Sequence, residues 1–376
     1  MVARWLPIAL SAVVASAGGI IFKLIKGSTD AEANEDASGQ QPAVVHKTGS
    51  LATTSADEIS IVSYNILADV FSKKLTYADE SLLDWREHRW PLIQQQIRAW
   101  SADIVCLQEV DVLWLSEYLA FAAAAGYSAI HQDSKGKQVV CMTLFKPGKL
   151  QLWWQESRSR ALLAAFLFTD STGATQALYA ANLHLEGSPY KPQERLAQGS
   201  PYKPQERLAQ ARSALASLQK HQTAAGLPPE ECHVVVAGDF NSSKGEAVGR
   251  LLSSGWLPAG YTEPHLPQVR ILPEGGGDAA QPYLLADAYA ARPLPFTRKV
   301  PQLESSLDWL FVSASLTVTA LLQPLDPALP ADRRLPHSRM GLPNAAHPSD
   351  HLPIGAKLRC LPAGVMMGQQ GHGDAS

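Results

Sequence analysis

Ile59 to Asn65 alternates in character, with Ile59, Ile61, Ser63 and Asn65 on one side, which predicts a strand. Pro91 suits the first turn of a helix, and Leu92, Ile93, Ile97 and Trp100 then recur at helical spacing. Ile104–Leu107 and His233–Ala237 are short, largely apolar runs, the pattern of strands buried on both faces. Leu178–Leu185, Leu307–Val312 and Leu352–Leu358 read as further strands. Strands alternating with helical stretches predict an α/β body with helices outside buried sheets.

The ends differ from this body. Trp5 to Phe22 is uncharged and mostly apolar, with Arg4 before it and Lys23 and Lys26 after it. It sits at the lower edge of the ~20 residues a bilayer span needs. Residues 1–26 are therefore expected to be a membrane anchor or a targeting segment, with a cleaved signal ending near Ala15-Ser16-Ala17 as a third reading. The corresponding location is membrane-associated or organelle-targeted, without an assignable compartment or topology. Residues 27–57 are polar and read as a disordered linker. The catalytic domain is expected over 58–361, followed by a disordered tail over 362–376. Inside the domain, GSPYKPQERLAQ occurs at 187–198 and again at 199–210. One tandem copy is not a repeat architecture. The second copy runs into Ala211-Arg212-Ser213-Ala214-Leu215 and should lead a helix, leaving the first as a surface excursion.

Composition narrows the class. The 376 residues are 46% hydrophobic, enough for a large core, and the net charge of −3 excludes a global basic field for duplex binding. Cys106, Cys141, Cys232 and Cys360 are scattered, which argues against a disulfide framework or a zinc site.

Three strings carry the chemistry: Gly238-Asp239-Phe240-Asn241, Pro348-Ser349-Asp350-His351 and Leu107-Gln108-Glu109-Val110-Asp111. Each also has an ordinary structural reading. A G-D-F-N string is a common turn, Asp350 could cap a strand, His184 could be a satisfied buried histidine, and Asp308 a core ion-pair partner. Together with Asn65, Asn182, His184 and Asp308 they place Asn, Asp, Glu and His at or near six strand ends, where layered α/β bodies gather ligands. Mg2+ takes oxygen ligands and keeps several waters, with Mn2+ as the alternative ion. Glu109 is expected to bind it directly, with Asn65 and Asp350 nearby or through water. Asp239 is expected to position or deprotonate the attacking water, and Asn241 to hold the phosphate or the nucleophile. His184 and His351 would donate to non-bridging oxygens, and Asp308 would orient His351. Asn182 shares a strand face with His184 and joins it and Asn241 on the substrate side.

These strings resemble the endonuclease/exonuclease/phosphatase superfamily, with matches in order at Asn65, Glu109, His184, Asp239, Asn241, Asp308, Asp350 and His351. Ser63-Tyr64-Asn65-Ile66-Leu67-Ala68-Asp69 and Gly341-Leu342-Pro343-Asn344 are similar to the branch of carbon-catabolite-repressor-type deadenylases, nocturnin, Angel proteins and 2′,5′-phosphodiesterase. The resemblance implies two stacked β-sheets flanked by helices in a four-layer sandwich, Mg2+-dependent cleavage at phosphorus, and RNA as the usual substrate. Trp309 stands where that branch usually has tyrosine, and Gln138–Met142 lacks its acid- and glycine-led strand start.

The expected function is a Mg2+-dependent 3′-5′ exoribonuclease acting on an RNA 3′ end or another phosphodiester. The alternative is a membrane-tethered phosphatase or phospholipid phosphodiesterase, motivated by residues 5–22. A non-catalytic binding protein is disfavoured by the complete set of acids, amides and imidazoles. No partner protein is predictable.

Overall fold

The computed structural model describes residues 50–187, 203–228, 232–264, 266–301 and 303–361. Two six-stranded sheets dominate. In the first, β1 (Glu58–Asn65) lies parallel to β2 (Ile104–Asp111), and β3 (Ser128–His131) and β4 (Val139–Phe145) continue outward. On the other side of β1 come the antiparallel strands Ile354–Cys360 and Leu316–Leu321. The second sheet runs from β5 (Gln151–Ser157) through β6 (Ala161–Thr169), β7 (Thr175–His184) and β8 (His233–Asp239). It ends with strands Asp308–Ser313 and Leu285–Asp287.

The period-two pattern explains the stacking. Ile59 and Ile61 of β1, Ile104 and Cys106 of β2, Leu178 and Ala180 of β7, Val235 and Ala237 of β8, and Leu310 and Val312 form one core between the sheets. The alternate residues Val62, Tyr64, Val105 and Leu107 face outward, under Ile93, Ile97 and Trp100 of helix Trp90–Trp100 and Tyr118 and Phe121 of helix Leu115–Ala124. On the far side, helices Pro204–Ala224 and Ala247–Ser254 cover the second sheet through Ala211, Leu215, Leu218, Val248 and Leu252. The result is the expected four layers, helices over two mixed sheets.

Several boundaries move. Strand β2 runs on past Leu107 to Asp111, so Glu109 lies inside a strand and not after it. Packing starts before the expected linker ends: Leu51 is fully buried and its amide donates to Trp100 O at 2.7 Å. A lone apolar residue in a polar stretch gives no periodic signal of that. The second repeat copy leads helix Pro204–Ala224 as expected, whereas nearly all of the first copy lies outside the described residues. The tail over 362–376 does too, as does the run Trp5–Phe22. Among the described residues no helix is long and apolar enough to cross a membrane. The expected membrane-associated or organelle-targeted location is corrected accordingly, since no described element carries it. All four cysteines are buried free thiols.

Candidate active site

The inter-sheet faces that are apolar along most of their length turn polar at one end. Beyond Ile61 come Ser63 and Asn65; beyond Cys106 comes Gln108; beyond Ala180 come Asn182 and His184; beyond Ala237 comes Asp239; and Leu310 is preceded by Asp308. Register then sets them side by side. His184 pairs with Asp239 across parallel strands β7 and β8, and Asp239 pairs with Asp308 across the antiparallel neighbour.

Two site residues, Glu109 and Asn241, need special backbone. The β2–β4 register shifts between Leu107 and Val110, and at this bulge Glu109 takes a φ of +58°. A bulge leaves the extra residue unpaired and re-aims its side chain. Glu109 Oε1 consequently accepts from Asn65 Nδ2 at 3.1 Å, and Oε2 accepts from Ala68 N at 3.0 Å. Asn241 also has a positive φ, +47°. Its backbone N–H donates to Asp239 Oδ1 at 2.8 Å and its amide Nδ2 to Leu185 O at 3.0 Å. Left-handed backbone at bulky residues carries a cost of order 1–3 kcal/mol and concentrates at functional sites. Between them, Gly238 has φ +147°, and a Cβ there would stand 1.9 Å from Leu183 O. Only glycine lets β8 lie this close to β7.

Asp239 Oδ2 is the point of convergence. Asn65 Nδ2 donates to it at 3.0 Å, His351 Nε2 lies 3.7 Å away and His184 Nε2 lies 3.9 Å away. His184 Nε2 is also 3.7 Å from Glu109 Oε1. His351 Nδ1 hydrogen-bonds Asp308 Oδ2 at 2.8 Å. Asp239, Asp308 and His351 are buried, whereas Glu109, His184 and Asn241 are only half-buried and mark the mouth. Burial alone would depress the His351 pKa, but the carboxylates of Asp308, Asp350 and Asp239 outweigh it and raise it to about 10. Burial pushes the Asp308 carboxyl up, against the pull of His351. The pair therefore keeps a proton through the neutral range.

The donor set fits a hard divalent cation. Glu109, His184 and Asp239 offer ligand atoms within 4.8 Å of one another, as do Asp239, Asp308 and His351. Carboxylate oxygens at a half-open mouth suit an ion that retains water. Asn65 and Asp350 were expected near the ion or bound to it through water. Asn65 turns N–H toward both acids, and its Oδ1 accepts from Leu67 N at 3.0 Å. Asp350 belongs to neither cluster; its Oδ2 accepts from Arg298 Nε at 2.9 Å. Asn182 is likewise not at the substrate surface. It is 1% exposed, its Nδ2 donates to Leu107 O, Met142 O and Thr143 Oγ1, and its Oδ1 accepts from Gln108 Nε2 at 2.8 Å. It shares a face with His184, as expected, but one step deeper, where it joins the sheets beneath the site.

Arg298 and Arg89 escaped the sequence reading. Arg298 also bridges by backbone to His351. Neither has a local motif; a count of the buried acids would have called for nearby cations.

The model of the endonuclease/exonuclease/phosphatase family matches residues 62–351. Among curated relatives, the CCR4-Not complex 3′-5′-exoribonuclease subunit Ccr4 of Candida albicans is 26% identical over 81% of this chain and 41% of that protein. The Saccharomyces cerevisiae protein of the same description is 23% identical, over 90% of this chain and 43% of its own. The chain thus spans about half the length of the relatives first matched. The structure of ANGEL2, described as a 2′,3′-cyclic phosphatase, in complex with adenosine-2′,3′-vanadate superposes with TM-score 0.62 at 22% identity, covering 81% of this chain and 96% of that one. The human nocturnin catalytic domain gives 0.51 at 20% identity, covering 82% and 95%. These structures share the four-layer fold.

Proposed function

The chain belongs to the endonuclease/exonuclease/phosphatase family, of hydrolytic nucleases and phosphatases, and on that premise we propose that it is a divalent-metal-dependent phosphodiesterase that removes nucleotides from RNA 3′ ends. The observation that carries the reading is the convergence of Asn65, His184 and His351 on one oxygen of Asp239. Similarity to Ccr4-type 3′-5′ exoribonucleases over about four-fifths of the chain supports RNA as the substrate.

Glu109, with His184 beside it, would hold Mg2+ or Mn2+, which would offset phosphate charge and lower the pKa of bound water. Asn241 N and Asn65 Nδ2 fix the two oxygens of Asp239, so Oδ2 faces the imidazoles. Asp239 positions and accepts a proton from the attacking water, a contribution of about 10²- to 10⁴-fold for a general base. His351 is held by Asp308 through Nδ1, which leaves Nε2–H to donate to a non-bridging oxygen as charge grows. His184 donates from the open side. Arg298 Nε donates to the Asp350 carboxylate, next to His351 in the chain.

The test is product analysis. The purified chain with Mg2+ and 5′-labelled single-stranded oligoadenylate should give a ladder shortening from the 3′ end, abolished by chelator. Release of inorganic phosphate from monoesters with intact RNA would refute the substrate assignment.

A further inference from the structure

Arg89 has no assigned part in the chemistry, yet it is wholly buried. It ends a single wide helical turn, Trp85–Arg89, and its guanidinium lies 5.4 Å from the Trp85 ring centroid. Its hydrogen bonds go to backbone carbonyls. Nε donates to Pro348 O at 2.7 Å, and Nη2 donates to Ile66 O at 2.6 Å and to Leu67 O. Among the described residues its Nη1 has no hydrogen-bond partner. A buried cation without a bound carboxylate is costly and persists only where its donors are needed.

The carbonyls it holds sit at the two halves of the site. Ile66 and Leu67 follow Asn65, and Leu67 is held at φ +56°. That turn aims Leu67 N at Asn65 Oδ1 and brings Ala68 N to Glu109 Oε2. Pro348 precedes Ser349-Asp350-His351, and Ser349 Oγ donates to Asn65 O at 2.7 Å across the same seam. Among the described residues these irregular, buried carbonyls have no ladder partner, and a planar fork with five N–H groups can serve three at once.

We propose that Arg89 is a positioning residue of the hydrolytic site: its guanidinium clasps the backbone leaving Asn65 to the backbone entering Asp350, and so sets the distance between the Glu109 side and the His351 side. The inference rests on the phosphodiesterase reading above.

Arg89→Met, Arg89→Lys and Arg89→Gly in the full chain test it by melting, Mn2+ binding by calorimetry, and hydrolysis of oligoadenylate. A misplacement of about 1 Å costs on the order of 10²-fold, so Arg89→Met should lower kcat by about 10² with KM changed by less than about threefold. Mn2+ affinity should fall by about tenfold, as for loss of a group that orients metal ligands. Added guanidinium should restore much of the kcat and Mn2+ affinity of Arg89→Gly, methylammonium should not, and Arg89→Lys should stay impaired because it lacks the fork. A folded Arg89→Met with wild-type kcat and Mn2+ affinity overturns the proposal. So does a folded Arg89→Gly that guanidinium leaves unchanged. Failure of every variant to fold, with guanidinium present, also overturns it, because Arg89 would then hold up the fold and not the site. If the wild type hydrolyses no phosphodiester, the proposed function fails, while Mn2+ affinity still reports on the clasp.

Discussion

Asn65 reaches across from the first sheet and donates to Asp239 on the second at 3.0 Å, while the same nitrogen donates to Glu109 at 3.1 Å. One amide thus keeps two carboxylates from opposite sheets at a fixed separation. Asn65→Ala should lower kcat by about 10², the cost of one well-placed polar donor, with KM nearly unchanged in steady-state hydrolysis of labelled RNA. A folded Asn65→Ala enzyme within threefold of wild type would remove Asn65 from the machinery.

The His351–Asp308 pair predicts a pH dependence. The folded pKa of His351 is raised to about 10, above the ordinary 6.5. Its ionic contribution to stability is therefore fully present below about 6.5 and lost as pH rises through about 10. Asp308→Asn removes a carboxylate that raises it, so the alkaline limb of kcat/KM should move down by roughly one pH unit or more. An unmoved limb would show that another group sets it.

Arg298 and Asp350 form a pair whose side chains are 17% and 2% exposed. Removing one partner from a buried pair typically costs about 3 kcal/mol or more. Arg298→Met should lose about that much in urea denaturation, and Arg298→Met/Asp350→Asn should regain most of it while remaining poorly active. Equal stability of the single and double variants would show that the pair is not coupled.

Gly238→Ala places a Cβ against Leu183 O, with backbone on both sides unable to yield. Separating β7 from β8 at this point should cost more than about 3 kcal/mol, measured by the same denaturation. A stable Gly238→Ala protein would mean that the strands can part without loss.

Deleting 187–198 or 199–210 yields the same sequence, because the copies are identical. The shortened chain keeps one lead-in to helix Pro204–Ala224, with residues equivalent to Arg207 and Gln210, which contact Glu186. Loop length carries a small entropic cost, so the melting temperature and kcat should stay within about twofold-equivalent change. Collapse of either would assign the second copy a part in the site.

What could be read in advance follows the range of the interactions. Ile59, Ile61, Ser63 and Asn65 share a face because alternation is local, and Asp239 and Asn241 share a turn for the same reason. Glu109 was legible as an acid but not as a bulge, since the bulge exists only in the register of β2 against β4. Asn182 was placed on the correct face but at the wrong depth, because depth depends on Gln108 and Thr143 from the other sheet. Asp350 was legible as an acid near the site but not as the partner of Arg298, because that contact joins residues far apart in the chain.

Chain order adds a temporal consequence to the pairing of the first sheet. Strand Ile354–Cys360 slots beside β1, and His351 lies just ahead of it, so the site draws on both ends of the folded body. A growing polypeptide that has exposed Asn65, Glu109 and even Asp239 still lacks the imidazolium and the strand that seats it. The hydrolytic site should therefore stay incomplete throughout translation and close only after His351 and the strand beside β1 have cleared the ribosome.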